Sequence, residues 1–121
     1  MLYPAIMGAR DAFPDGVRAL GAEVDVVPIH RHVPDPEWIG TLRLLLEERA
    51  VDLVAVSTVG GVDALLDSVP AEHARRMRVA CIGPMTARAA RTAGFAVAAE
   101  ARTPTIEGLV ASIVASVSQP R

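Results

Sequence analysis

Lysine is missing altogether. The cationic side chains of this 121-residue chain are twelve arginines, set against fourteen Asp and Glu for a net charge of −2. That absence reads as a coding bias towards GC-rich codons, and it also excludes any G-x-x-x-x-G-K-[ST] phosphate loop. There is no basic run either, hence no electrostatic footprint for nucleic acid or a membrane surface. Cysteine occurs once, as Cys81 within an apolar strand. No intramolecular disulfide is therefore available, and the thiol reads as inert. No apolar run nears ~18 residues, so no membrane span is expected. Met1-Leu2-Tyr3-Pro4 meets a proline before any apolar stretch begins. No signal peptide is visible there, and a cytoplasmic location is expected. Two further signatures are lacking. A dinucleotide site needs G-x-G-x-x-G after the first strand, where Pro4-Ala5-Ile6-Met7-Gly8 stands instead. A phospho-receiver of this size needs an acidic pair after that strand and a lysine later.

What is present is a globular composition, 51% apolar with nine glycines and nine prolines. It suits one domain, residues 1–121, able to bury a core without cross-links. The chain is organised around Val79 to Phe95. Val79-Ala80-Cys81-Ile82 is a continuous apolar run, as in a strand buried on both faces of a parallel sheet. Gly83-Pro84 stops it, and Met85 to Ala93 reads as a helix closed by Gly94. Before it come a strand near Leu2–Met7, a helix over Arg10–Leu20 that Pro14 must begin or kink, and a strand over Glu23–Ile29. The connector from His30 to Pro34 has extended character. Asp35-Pro36-Glu37 is a helix start, and Trp38, Leu42, Leu45 and Leu46 fall on one face of the helix it opens. A third strand follows at Val51–Val56, then a helix to Val69 and a helical turn around Ala71–Met77. After the organising unit come a fifth strand at Ala96–Ala99 and a last helix with Leu109, Val110, Ile113 and Val117 on its apolar side. Strands alternating with helices predict an α/β fold: a flavodoxin-like, five-stranded parallel sheet of order 2-1-3-4-5 with helices on both faces.

Three strand ends carry hydroxyl and glycine clusters: Ser57-Thr58-Val59-Gly60-Gly61, Gly83-Pro84-Met85-Thr86 and Thr103-Pro104-Thr105. All precede helices, so all belong at the carboxyl edge of the sheet, where ligands bind. Helix N-termini and hydroxyls there suit a ligand with several carboxylates or phosphates, held by hydrogen bonds rather than ion pairs. The same Ser and Thr residues also read as helix caps, and Gly-Pro as turn punctuation. His30 and His32 share a face of an extended segment, but two ligands do not make a zinc site. No metal is expected.

Taken in order, Ser57-Thr58-Val59-Gly60, Ile82-Gly83-Pro84-Met85-Thr86-Ala87 and Thr103-Pro104-Thr105-Ile106-Glu107-Gly108-Leu109 resemble the second half of uroporphyrinogen-III synthase. Tyr3-Pro4, Arg10-Asp11, Pro14 and Gly21-Ala22-Glu23-Val24 agree with it. The resemblance implies a cytoplasmic lyase of tetrapyrrole (heme) biosynthesis working without cofactor or metal. Members of the family cyclise hydroxymethylbilane to uroporphyrinogen III, inverting the last pyrrole ring through a spiro intermediate. The partner implied is thus a linear tetrapyrrole bearing multiple carboxylates, with no nucleic acid and no membrane. Carried over residue by residue, Ser57, Thr58, Gly60, Gly83, Thr86 and Thr105 bind substrate. Where the family usually has a linker tyrosine that can reach the departing hydroxyl, this chain has His30, which can donate a proton.

The family's proteins are about twice this length, with two lobes flanking a cleft, and an N-terminal half is missing here. The alternative to a synthase is therefore a non-catalytic tetrapyrrole- or polycarboxylate-binding module. Residues 1–30 supply two strands, 31–36 a linker and 37–121 three strands. Two copies exchanging their first two strands would regenerate two lobes, and Pro28, Pro34 and Pro36 oppose a tight reversal of the linker. A strand-exchanged homodimer is the expected assembly.

Overall fold

A computed structural model describes residues 1–118, which form two compact units meeting in sequence between Pro34 and Asp35. The first contains β1 (Leu2–Ile6), α1 (Ala12–Ala19) and β2 (Asp25–His30). Its strands are parallel, as a helical crossover requires. Pro14 lies at the start of α1. It is the third helical residue, inside the first turn, where backbone N–H groups have no intrahelical acceptor to lose. The ladder slips once: Ala5 faces Pro28 but Ile6 faces His30, so Ile29 is passed over. Only Ala5, Pro14 and Val24 are buried in this unit, and neither hydrophobic core cluster includes any of them.

The second unit contains α2 (Pro36–Glu47), β3 (Val54–Val56), α3 (Val59–Ser68), α4 (Ala71–Ala74), β4 (Arg78–Cys81), α5 (Pro84–Thr92), β5 (Ala96–Glu100) and α6 (Ile106–Ser118). Asp35 caps α2 as its sequence demands, its Oδ1 accepting from the Glu37 N–H at 2.9 Å. The sheet is parallel in order β3-β4-β5, with β4 in the middle. Val79, Ala80 and Cys81 are sealed from solvent, so the central strand is buried on both faces. Period-two alternation sends Val79 and Cys81 into a cluster with α3 and α5 residues Val62, Leu65, Ala87 and Ala90. Ala80 goes the other way, joining Ala101 and Leu109 of α6. Helices do cover both faces.

One five-stranded sheet is not formed. The strands make a two-stranded sheet, β1-β2, and a three-stranded one, β3-β4-β5. Each keeps its part of the expected 2-1-3-4-5 order, and the absent pair is β1 with β3. Prolines at 28, 34 and 36, in and beside the connector between the two sheets, stiffen it and oppose folding β1 back onto β3 of the same chain. The apolar faces are also narrower than the spacing predicts. In α2 only Leu42 and Leu46 pack on the core, while Trp38 is 70% exposed. In α6 Leu109 and Ile113 pack, while Val110 and Val117 stay exposed.

Candidate polyanion site at the carboxyl edge

Every turn that leaves the three-stranded sheet at its carboxyl end leads to a helix start. After β3, Thr58 is the N-cap of α3, and its Oγ1 accepts from the Gly61 N–H at 2.9 Å. The hydroxyl still has its own proton to donate. After β5, Thr105 repeats the arrangement, its Oγ1 accepting from the Gly108 N–H at 3.0 Å. Both are Thr-x-x-Gly, and in both the glycine is what lets the cap close. A Cβ on Gly61 would lie 3.2 Å from Thr58 Oγ1 and 3.2 Å from Val56 Cγ1. A Cβ on Gly108 would collide with the Thr103 carbonyl. The middle turn differs. Gly83 is the N-cap of α5 in extended backbone and offers no side chain, so no cap side chain competes with a ligand there. An added Cβ at Gly83 would sit 3.7 Å from Pro104, so the β4 and β5 turns are neighbours.

The residues singled out in the sequence fall as follows. Ser57, Thr58, Gly83, Thr86 and Thr105 all follow strands of this one sheet at the same edge. Ser57, Thr58 and Thr105 are exposed. Thr86 is 5% exposed, in the first turn of α5. Gly60 is not in the turn but is the second residue of α3, and a Cβ added there would meet only Thr58 Oγ1, at 3.9 Å. The tight positions are Gly61 and Gly108. The signal that finds them is the repeated Thr-x-x-Gly spacing, which loop composition alone hides. His30 ends β2 in the other sheet, exposed, its carbonyl accepting from the Met7 N–H at 2.7 Å and its ring edge-on to His32 at 6.0 Å.

Acid–base chemistry is sparse at this edge. Burial, the largest influence, pushes the Cys81 thiol up, partly offset by Arg91. Arg91 pairs with Glu100 at 3.6 Å, both partners being solvent-exposed, so the pair contributes little. Among the described residues no group of three or more His, Cys, Asp or Glu is placed to hold a metal ion. A larger hollow of ≈ 390 Å³ lies at the opposite, amino end of the sheet, lined by Arg49, Asp52, His73, Arg76 and Arg78 among others. It is remote from the hydroxyl turns.

No helix of the described residues is long and apolar enough to cross a membrane. No curated protein matches the chain significantly. Solved structures that share its fold include two uroporphyrinogen III synthase structures. A uroporphyrinogen III synthase from the extremely thermophilic bacterium Thermus thermophilus is 23% identical with a TM-score of 0.67, covering 90% of this chain and 45% of its own. A second Thermus thermophilus uroporphyrinogen III synthase structure is 20% identical with a TM-score of 0.65, covering 98% of this chain and 48% of its own. The chain therefore spans about half the length of these structures. The family model of uroporphyrinogen-III synthase HemD matches residues 1–111, and the chain belongs to that family.

Proposed function

We propose that this chain binds a linear tetrapyrrole through its carboxylates and supports its cyclisation to uroporphyrinogen III. The observation that carries this reading is the convergence of three helix starts on one sheet edge, two ending in a Thr cap and one left uncapped at Gly83. Hydroxyls and helix N-termini attract carboxylates without the arginine forks that would immobilise them. Ser57, Thr58 and Thr105 donate from the surface, and Thr86 adds a hydroxyl donor from the first turn of α5. Hydroxymethylbilane closes to the symmetric isomer on its own, so the catalyst's task is conformational. It must hold the last ring ready to invert and stabilise the charge left when the hydroxyl departs. His30 is the proton donor in this reading: an imidazolium gives its proton to the leaving hydroxyl, which departs as water.

The test is turnover of hydroxymethylbilane with the III and I isomers resolved. Formation of the III isomer above the uncatalysed background supports the proposal, and only the I isomer overturns it. The half-length match favours one other reading, a polycarboxylate-binding module without turnover. Saturable uroporphyrinogen binding with no III isomer selects that one. Within either reading, Thr86→Val removes one hydroxyl from a buried position at nearly constant volume. Binding should weaken by about 1.5–3 kcal/mol, as for a lost hydrogen bond to a charged group. Titration calorimetry giving an unchanged affinity removes Thr86 from the site.

A further inference from the structure

The β3-β4-β5 sheet ends on an open strand. The Ile82 N–H donates to the Val56 carbonyl at 3.2 Å, so the backbone of Val56 faces β4. In a parallel ladder the neighbouring residue points the other way, which turns the N–H and C=O of Ala55 off the sheet. Ala55 is accordingly exposed, although it sits mid-strand. A mainly apolar groove of ≈ 270 Å³ runs beside this edge between α2 and α3, lined by Ile39, Leu42, Val54, Ala55, Leu65 and Thr58 among others. An unpaired edge beside an apolar groove is a template for a strand.

The first unit carries the complementary deficit. The Asp25 N–H donates to the Met1 carbonyl at 2.8 Å, so Met1 and Tyr3 face β2 while Leu2 and Pro4 face away from it. Pro4 costs this edge one donor, but Leu2 and the Pro4 carbonyl remain. Leu2 and Ile29 are 65% and 64% exposed, and Val26 and Val27 are exposed as well. A two-stranded sheet with so little buried is marginal by itself.

We propose that the open edge of β3 receives β1 from a second copy of this chain, reciprocally, so that two copies form two five-stranded sheets. The occupant is a second copy because the chain's own first unit has an open strand edge and an unburied apolar surface. The proline-rich connector opposes folding that strand back onto its own β3. Exchange uses identical contacts and is a low-cost route to a twofold dimer. Parallel pairing aligns carboxyl ends. The turn after β1, at Met7 to Arg10, and His30 after β2 then join the edge that holds Ser57, Thr58, Gly83 and Thr105, so the site is incomplete without the partner.

This inference stands on sheet edges and not on the identity of the ligand, so oligomeric mass tests it separately from the isomer assay. Light scattering on the full chain should give the mass of two 12.7-kDa chains. Ala55→Pro deletes the outward N–H of β3 without touching its ladder to β4, and Leu2→Pro does the same for β1. Each should convert the dimer to a monomer with unchanged helical circular dichroism; two variants in different units guard against a local folding defect. A wild-type chain that stays monomeric at high concentration overturns the proposal. So does a dimer that survives in whichever variants keep their helical signal.

Discussion

Arg49 sits where the chain would favour glycine. Three helices end in the same Schellman pattern, with paired backbone bonds around a left-handed residue: Gly21 after α1, Gly94 after α5 and Arg49 after α2. Arg49 holds φ at 54°, which crowds its Cβ against the following carbonyl. Glycine relieves that strain, about 1–2 kcal/mol, but returns part of it as unfolded-state entropy. Arg49→Gly should therefore stabilise the protein by roughly 0.5–1 kcal/mol net, read as a higher urea midpoint at unchanged slope. Cys81 gives a second residue-scale expectation. Burial holds its thiol pKa above the ordinary value, 9.0, so the thiolate fraction at neutral pH is lower than for a free cysteine. An aromatic disulfide reagent at pH 8 should leave it untouched in the folded chain and titrate one thiol after denaturant is added. Prompt reaction without denaturant would mean that β4 opens readily.

At the scale of elements, the helix starts are where sequence and geometry meet most closely. Thr58 and Thr105 were readable both as caps and as ligand donors, and the structure uses their oxygens as caps while leaving their protons available. The glycines divide on steric grounds. Gly108→Ala pushes a Cβ into the Thr103 carbonyl, so the α6 turn must move; a loss of about 1–3 kcal/mol is expected, as for other overpacked positions. Gly60→Ala meets nothing closer than 3.9 Å and lies within α3. It should be neutral or stabilising by up to ~1 kcal/mol through helix propensity. Thermal unfolding of the two variants side by side checks both. Equal shifts in the two variants would mean that the close approach at Gly108 carries no cost of its own.

At the scale of the molecule, the second unit has a two-sided core around β4, whereas the first buries three residues outside either core cluster. Stability should follow that asymmetry. If the first unit is completed by a partner, folding and association are linked, and the unfolding midpoint rises with protein concentration. A midpoint constant over a hundredfold dilution would instead describe a monomer whose first unit stands alone.

The amino-acid sequence by itself determined the alternation of strands and helices, the double burial of Val79–Cys81, the Asp35 cap and the three helix starts that gather the hydroxyls. These are local matters: apolar periodicity, proline, glycine and capping chemistry act within a few residues. Strand ends and helix faces were legible only to within a turn, since Trp38 and Val110 fit the apolar stripe yet find nothing to pack on. The Thr-x-x-Gly clasp at Gly61 and Gly108 needed the backbone, because a glycine's value there lies in an oxygen three or more residues away. Only tertiary structure decided that the five strands divide into two sheets. Pairing between distant edges depends on which N–H groups point outward and which surfaces remain uncovered, and no spacing along the chain encodes that.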